Sequence, residues 1–302
     1  MTGYRHESVL LEPVLAALSP ADGEIHVDCT IGGGGHAVAL LRAARCTVVG
    51  IDRDPAALEA ARAAAGRDAD RLIAIRGSFS ELPHLLDRHG IGQVHGILAD
   101  LGVSSHQLDT PARGFSFRMA GPVDMRMDPD APVSAADLVN HWPEHDLADL
   151  IRRHGEERQA TKVARAIVAG RPFRDTKRLA EVVAAAVGGP PSRIHPATRT
   201  FQALRMTVNR ELEELEALLP AAVQRLVPGG RLAIVTFHSL EDRLVKRFLD
   251  RAAGKRRERD PYGNPIGPVL LALHPPVVPS ADDPNPRARS ARLRHATRLP
   301  WT

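Results

Sequence analysis

The segment Asp28-Cys-Thr-Ile-Gly-Gly-Gly-Gly-His36 holds the densest chemistry in this chain of 302 residues. A run of glycines permits a tight turn and lets backbone N–H groups approach a ligand closely. Gly32-x-Gly34-x-x-Ala37 also satisfies the Gly-x-Gly-x-x-Gly/Ala pattern of dinucleotide loops, a weak signal when it stands alone. Asp52 closes the next apolar run, where a carboxylate can accept hydrogen bonds from both hydroxyls of a ribose or simply cap a turn. Asp100 closes a further run, GILAD, and His238 follows RLAIVTF, a place from which an imidazole could accept a proton. For His238, Glu241 and Asp242 the competing reading is a helix N-terminus with Ser239 as cap and acids favoured by the dipole. His141 and His145 have a helix-face spacing but no further ligands nearby, so no metal site is expected.

The elements that must position these residues follow from periodicity. Apolar residues at Val9, Leu10, Val14, Leu15 and Leu18 predict a helix over 8–18. Strands are then predicted over 24–29, 46–51, 72–75 and 96–101. Helices between them are predicted over 36–44, 55–65 and 81–89, the second with Pro55 at its first position and Asp54 as N-cap. Alternation of this kind implies a parallel, doubly wound sheet. From 106 to 200 no strand is predicted. Helical stretches over 135–139, 145–154, 158–169 and 179–187 are punctuated by prolines. The sheet resumes after a long helix over 202–226. LVPGG is read as a turn, 231–237 as a fifth strand, 239–253 as a helix, and 269–274 and 290–297 as two last strands. The expected organisation is one α/β domain, 1–105 with 201–302, interrupted by an all-helical insertion, 106–200, read as a substrate-recognition domain.

Composition narrows the class. Hydrophobic residues at 43% and charged residues at 25% exclude a mostly disordered chain. No run approaches the ~20 apolar residues of a membrane helix. The stretch MTGYRHESVLLEPV has acids and no long apolar core, so no secretory signal is expected. Two cysteines, Cys29 and Cys46, cannot form a disulfide framework and fit the cytoplasm. The net charge is +4, but its distribution says more. Arg243 to Thr302 contain 13 basic and 5 acidic residues, while the rest is slightly acidic. A basic end suggests a polyanionic partner.

Nicotinamide cofactors and S-adenosylmethionine both use a glycine turn with an acid after the second strand. A helix ahead of the first strand, Asp100 at the end of the fourth, and the LVPGG–strand unit before a final helix and strand pair favour a class I S-adenosylmethionine-dependent methyltransferase with a Rossmann-like sheet. The motifs go further. His6-x-x-Val-Leu-Leu11, Gly34-Gly-His36, Asp52-Arg-Asp-Pro55, Asp100-Leu-Gly-Val-Ser-Ser-His-Gln-Leu-Asp109 and Arg113-Gly-Phe-Ser-Phe-Arg118 come in the order of one family. Gly121-Pro-Val-Asp-Met-Arg-Met-Asp128, His195-Pro-Ala-Thr-Arg-Thr-Phe-Gln202, Phe237-His-Ser-Leu-Glu-Asp-Arg243 and Asn285-Pro-Arg-Ala-Arg-Ser290 complete the set. The chain resembles the small-subunit ribosomal RNA methyltransferase H family from His6 to about Arg298, least distinctively over 255–283. Cys29, Ala37 and Ser8 are small departures from the family pattern.

The resemblance implies N4-methylation of a cytidine in the decoding region of 16S rRNA, with S-adenosylmethionine as donor. It places cofactor contacts on Gly34, Gly35, His36, Asp52, Phe79, Asp100 and Gln107, with Phe79 beside the adenine. Asp100 is the expected catalytic carboxylate and His238 a candidate proton acceptor. The place after the fourth strand lacks the prolines and aromatic of the Asp/Asn-Pro-Pro-aromatic turn that many amino-methyltransferases use. A cytosine in folded RNA must be exposed to react. Arg113, Arg118, Arg126, Arg287, Arg289, Arg292 and Arg294 are therefore candidate phosphate contacts. Phe115 and Phe117 are read either as base-stacking residues or, preferably, as packing. Two rivals predict different behaviour: an oxidoreductase that binds NAD and tolerates loss of Asp100, and an RNA-binding assembly factor without turnover.

Overall fold

A computed structural model describes residues 8–188, 194–255, 257, 260–264, 266–280, 283, 285 and 288–300. It divides into two compact units, one formed by Met1–Gly102 with Leu212–Thr302 and the other by Val103–Glu211. The edges expected from sequence are after 105 and after 200. The later second edge arises because α10 (Thr198–Asn209) packs against α7 (Glu144–Gly155) and α6 (Ala135–His141) within the helical unit.

The first unit is a seven-stranded sheet in the order β3-β2-β1-β4-β5-β7-β6. β1 (Ile25–Asp28), β2 (Thr47–Asp52), β3 (Leu72–Arg76), β4 (Val94–Asp100) and β5 (Leu226–Thr236) pair in parallel. β7 (Arg292–Arg298) runs antiparallel to both β5 and β6 (Leu271–Leu273). The strands are buried on both faces, so alternate residues feed two cores. Val27, Val49, Ile97, Ala99, Leu232 and Ile234 meet α4 (Leu82–Arg88), α11 (Glu211–Arg225) and α12 (Ser239–Ala252). Val48, Leu98, Ala233, Val235 and Leu293 meet α1 (Leu11–Leu18), α2 (Gly35–Ala43) and α3 (Pro55–Ala65). Such a three-layer, doubly wound sheet with β7 reversed is the Rossmann-like methyltransferase fold.

Local chemistry sets the element ends. Asp54 caps α3, its carboxylate accepting the Ala56 N–H at 3.1 Å, with Pro55 at the first position as expected. The helix expected over 202–226 is two helices. α10 ends at Asn209, Arg210 is left-handed at φ 51°, and α11 restarts at Glu211. LVPGG is not a turn between elements but part of β5. Leu226 pairs with Val94 and Arg231 with Gly96, with a register shift between them. Gly229 takes φ 82° within that irregularity, a conformation that favours glycine.

The helical unit contains α5 (Ser105–Asp109), α6, α7, α8 (Ala160–Ala169), α9 (Thr176–Val187) and α10 around its own core. Leu138, Leu147, Ile151, Val163, Ile167, Phe173, Leu179, Val183 and Leu204 are fully or almost fully buried there. Among the described residues no helix is long and apolar enough to cross a membrane.

Candidate active site

In open α/β sheets ligands gather at the carboxyl ends of the strands, where the chain order reverses. Here that place is between β1 and β4. Three carboxylates mark it: Asp28, Asp52 and Asp100 end β1, β2 and β4. Asp28 pairs in register with Gly50 and Leu98, fixing it beside both neighbours.

The turn from β1 into α2 is built around these acids. Gly32 and Gly34 both have positive φ, 49° and 84°, and Gly34 is the left-handed N-cap of α2. A Cβ on Gly34 would lie 2.9 Å from the Ala61 Cα, so α3 packs against bare backbone there. The Asp52 carboxylate accepts the N–H of Gly32 at 3.0 Å and of Asp54 at 2.9 Å. It therefore holds the glycine turn to the end of β2 as well as offering its remaining lone pairs to a ligand. Burial pushes its pKa up, against the pull of those two N–H groups.

Asp28 was not among the expected site residues. It is 1% exposed, and burial pushes its carboxyl up to about 6, with Asp100 and Asp52 adding to the rise and His36 opposing it. Its Oδ1 accepts the Thr30 N–H at 3.1 Å, and the Thr30 hydroxyl accepts the Asp100 N–H at 2.7 Å. Asp28 thus positions the end of β4 through Thr30. The available signal was an acid ending a strand directly before a glycine turn. His36 is buried, and its Nε2–H donates to the Val9 carbonyl at 3.1 Å. Its Nδ1 is then left facing Asp100 Oδ2, 3.7 Å away. Burial lowers the His36 pKa, which keeps the ring neutral near pH 7.

Phe79 opens a short 3-10 turn capped by Ser78 and is partly buried against the sheet. The Arg53 guanidinium lies 5.9 Å from its ring centroid and is paired at 3.2 Å with Glu214. Gln107 belongs to the helical unit. It lies on α5, where its Oε1 accepts the Ser104 N–H at 3.0 Å in a capping box.

Other expected residues are used by the fold. His238, not Ser239, is the N-cap of α12. Its Nδ1 accepts the Glu241 N–H at 3.4 Å, and its Nε2 lies 3.1 Å from Glu241 Oε1. Arg113 donates to the carbonyls of Arg126 and Met127. Arg126 grips Asp124 through two bonds of 2.9 and 2.7 Å and donates to the Ala131 carbonyl. Arg292 and Arg294 converge on Asp242 at 2.7–2.9 Å; burial opposes the Asp242 charge, but these partners outweigh it and lower its pKa. Side chains committed in this way are framework first. Arg118 and Arg289 are exposed, and Arg287 lies outside the described residues, as does His6. Phe115 is buried, and Phe117 packs on Phe201 and His195, as the packing reading preferred. His141 ends α6 and His145 lies in α7, so they do not share a helix.

A glycine turn and a cluster of acids at the switch point of a sheet with a reversed last strand define a class I methyltransferase domain. The MraW methylase family model matches residues 3–299, and the chain belongs to that family. It is 50% identical over 307 residues to a protein of Thermomicrobium roseum named ribosomal RNA small subunit methyltransferase H, covering 97% of this chain and 94% of that one. Proteins of the same name from Synechococcus sp. and Acidiphilium cryptum are 51% and 48% identical, covering 98% of this chain and 92% and 98% of theirs.

Proposed function

We propose that this protein methylates N4 of a cytidine in the decoding region of 16S rRNA, using S-adenosylmethionine and acting on the small ribosomal subunit in the cytoplasm. The observation that carries the choice of cofactor is the set of carboxylates Asp28, Asp52 and Asp100 around the glycine turn. Their field favours a cationic ligand and opposes the pyrophosphate of a nicotinamide dinucleotide.

When bound, S-adenosylmethionine supplies an electrophilic methyl group on a positively charged sulfur. Gly34, Gly35 and His36 are assigned to its methionine portion, Asp52 to the ribose and Phe79 to the adenine; the family resemblance adds Gln107. Asp100 is assigned to the reacting end. The exocyclic amine of cytosine is conjugated to its ring and weakly nucleophilic, so alignment and proton removal must lower the barrier. The Asp100 carboxylate can accept a hydrogen bond from that amine and raise its electron density. His36 is held by its bond to the Val9 carbonyl, and its ring lies beside the carboxylate, Nδ1 3.7 Å from Oδ2. His238 is assigned to capping α12 rather than to proton transfer.

The helical unit is assigned to substrate recognition, with Arg118 as its exposed phosphate contact; Arg289 is an exposed candidate contact in the sheet unit. Incubating the protein with methyl-labelled S-adenosylmethionine and undermethylated small subunits, followed by mass analysis of rRNA nucleosides, tests the proposal. N4-methylcytidine is the expected product; bound cofactor without it would defeat the enzymatic reading.

A further inference from the structure

The helix and loop that follow β5 carry a surface that none of the assignments above uses. The inner face of α12, Val245, Leu249 and Ala252, is buried against the sheet. The acids of α12 are engaged within the fold. Glu241 is buried and accepts the Phe237 N–H, Asp242 holds Arg292 and Arg294, and Asp250 lies 3.3 Å from Lys255. Arg243, Lys246, Arg247 and Arg251 are left exposed on the outer face. Residues four apart share one side of a helix, so Arg243, Arg247 and Arg251 form a single row with Lys246 beside it.

The described residues beyond this row are tied to one another by hydrogen bonds. The Leu270 N–H donates to the Ala252 carbonyl at 2.7 Å and closes the base of the loop. Arg257 bridges it, donating to the carbonyls of Ile266 and Gly267. Asp260 then builds a compact turn: Oδ1 accepts the N–H groups of Tyr262 at 2.9 Å and Asn264 at 2.8 Å, and Oδ2 accepts the Asn264 amide at 3.0 Å. At the tip of that turn Tyr262 is 90% exposed. Its phenol ring contributes nothing to the core, yet its backbone is fixed. Such a ring, held out on the loop that continues from the helix carrying the row of cations, matches a ligand that offers flat aromatic faces and negative charge together.

We propose that Tyr262 and the α12 row form a binding surface for single-stranded RNA flanking the modified nucleotide. Tyr262 stacks on an unpaired base, whatever its identity, while Lys246, Arg247 and Arg251 meet phosphates. The inference rests on the RNA-methylating reading above and adds residues that lie outside the cofactor turn.

The test uses the full-length protein and fluorescence anisotropy with a short labelled RNA, single-stranded or duplex, over a range of salt. Tyr262→Ala is expected to weaken single-strand binding by about 5- to 100-fold, and Tyr262→Phe to bind as the parent does. Combined Lys246→Ala, Arg247→Ala and Arg251→Ala should reduce the slope of log affinity against log salt by about 2. Duplex binding should be insensitive to Tyr262. Unchanged single-strand affinity in Tyr262→Ala, or polyglutamate competing as well as RNA, overturns the proposal. Methyl transfer to small subunits is measured in parallel. Transfer that persists with a Tyr262-independent RNA affinity sinks this surface alone; Tyr262-dependent RNA binding without any transfer sinks the enzymatic reading alone.

Discussion

Asp28→Asn should make the protein more stable and a poorer binder of its cofactor. The wild-type carboxyl is completely buried at the end of β1, and its pKa is raised from 3.8 to about 6, mainly by burial. A raised acid pKa means that the folded state binds more protons than the unfolded one between about pH 4 and pH 6. Stability is therefore complete below the unfolded value and falls as pH rises through the folded one. At 1.36 kcal/mol per unit, the charged carboxylate costs the folded protein about 3 kcal/mol above pH 6. Asparagine keeps an oxygen to accept the Thr30 N–H but carries no charge. Urea unfolding followed by circular dichroism at a series of pH values reads the difference. The substituted protein should gain about 3 kcal/mol at pH 7, with the gain shrinking towards zero near pH 4. Calorimetry should show weaker binding of S-adenosylmethionine, because one of the three carboxylates attracting its sulfonium is gone. A stability difference that does not vary with pH, or a loss of stability at pH 7, would refute the reasoning.

Three further outcomes follow from the geometry. Gly34→Ala forces a left-handed alanine whose Cβ meets the Ala61 backbone, a strain of about 1–3 kcal/mol, and should raise the cofactor dissociation constant at least about tenfold; an unchanged value contradicts the role of the turn. His238→Asn preserves a good helix cap and should keep methyl transfer within about threefold of the parent, whereas a ~100-fold fall in kcat would restore His238 as proton acceptor. Arg126→Ala removes two bonds to Asp124 and one to Ala131 and should cost about 2–4 kcal/mol in unfolding experiments; normal stability with a selective loss of RNA affinity would make Arg126 a phosphate contact after all.

Much of the sheet was readable from the chain because its signals are local. Runs such as CTVVGI and GILAD are buried on both faces, and Asp54-Pro55 announces its own helix. What escaped depends on tertiary context. Nothing in the Glu- and Leu-rich stretch around Arg210 marks a left-handed residue; the break exists because α10 belongs to the helical unit while α11 supports the sheet. Pro-Gly-Gly after Val227 spells a turn, yet pairing with β4 on either side turns it into a bulge. The site divides in the same way. The glycine turn, Asp52 and Asp100 were legible from position after a strand. The arginines were not, because the side chain that binds phosphate also binds Asp124, Asp242 or a carbonyl, and the sequence does not say which partner lies in reach. Asp28 opens the motif, yet its sequence position alone does not mark it, since its importance lies in its burial between two other acids.

The central claim is that the acid-lined turn serves methyl transfer to the small-subunit RNA. It is tested most directly by supplying the protein with methyl-labelled S-adenosylmethionine and undermethylated small subunits, alongside Asp100→Ala as control. Label is expected in N4-methylcytidine from 16S rRNA with the parent protein and none with Asp100→Ala. Label at another atom, or equal transfer by both proteins, would contradict it.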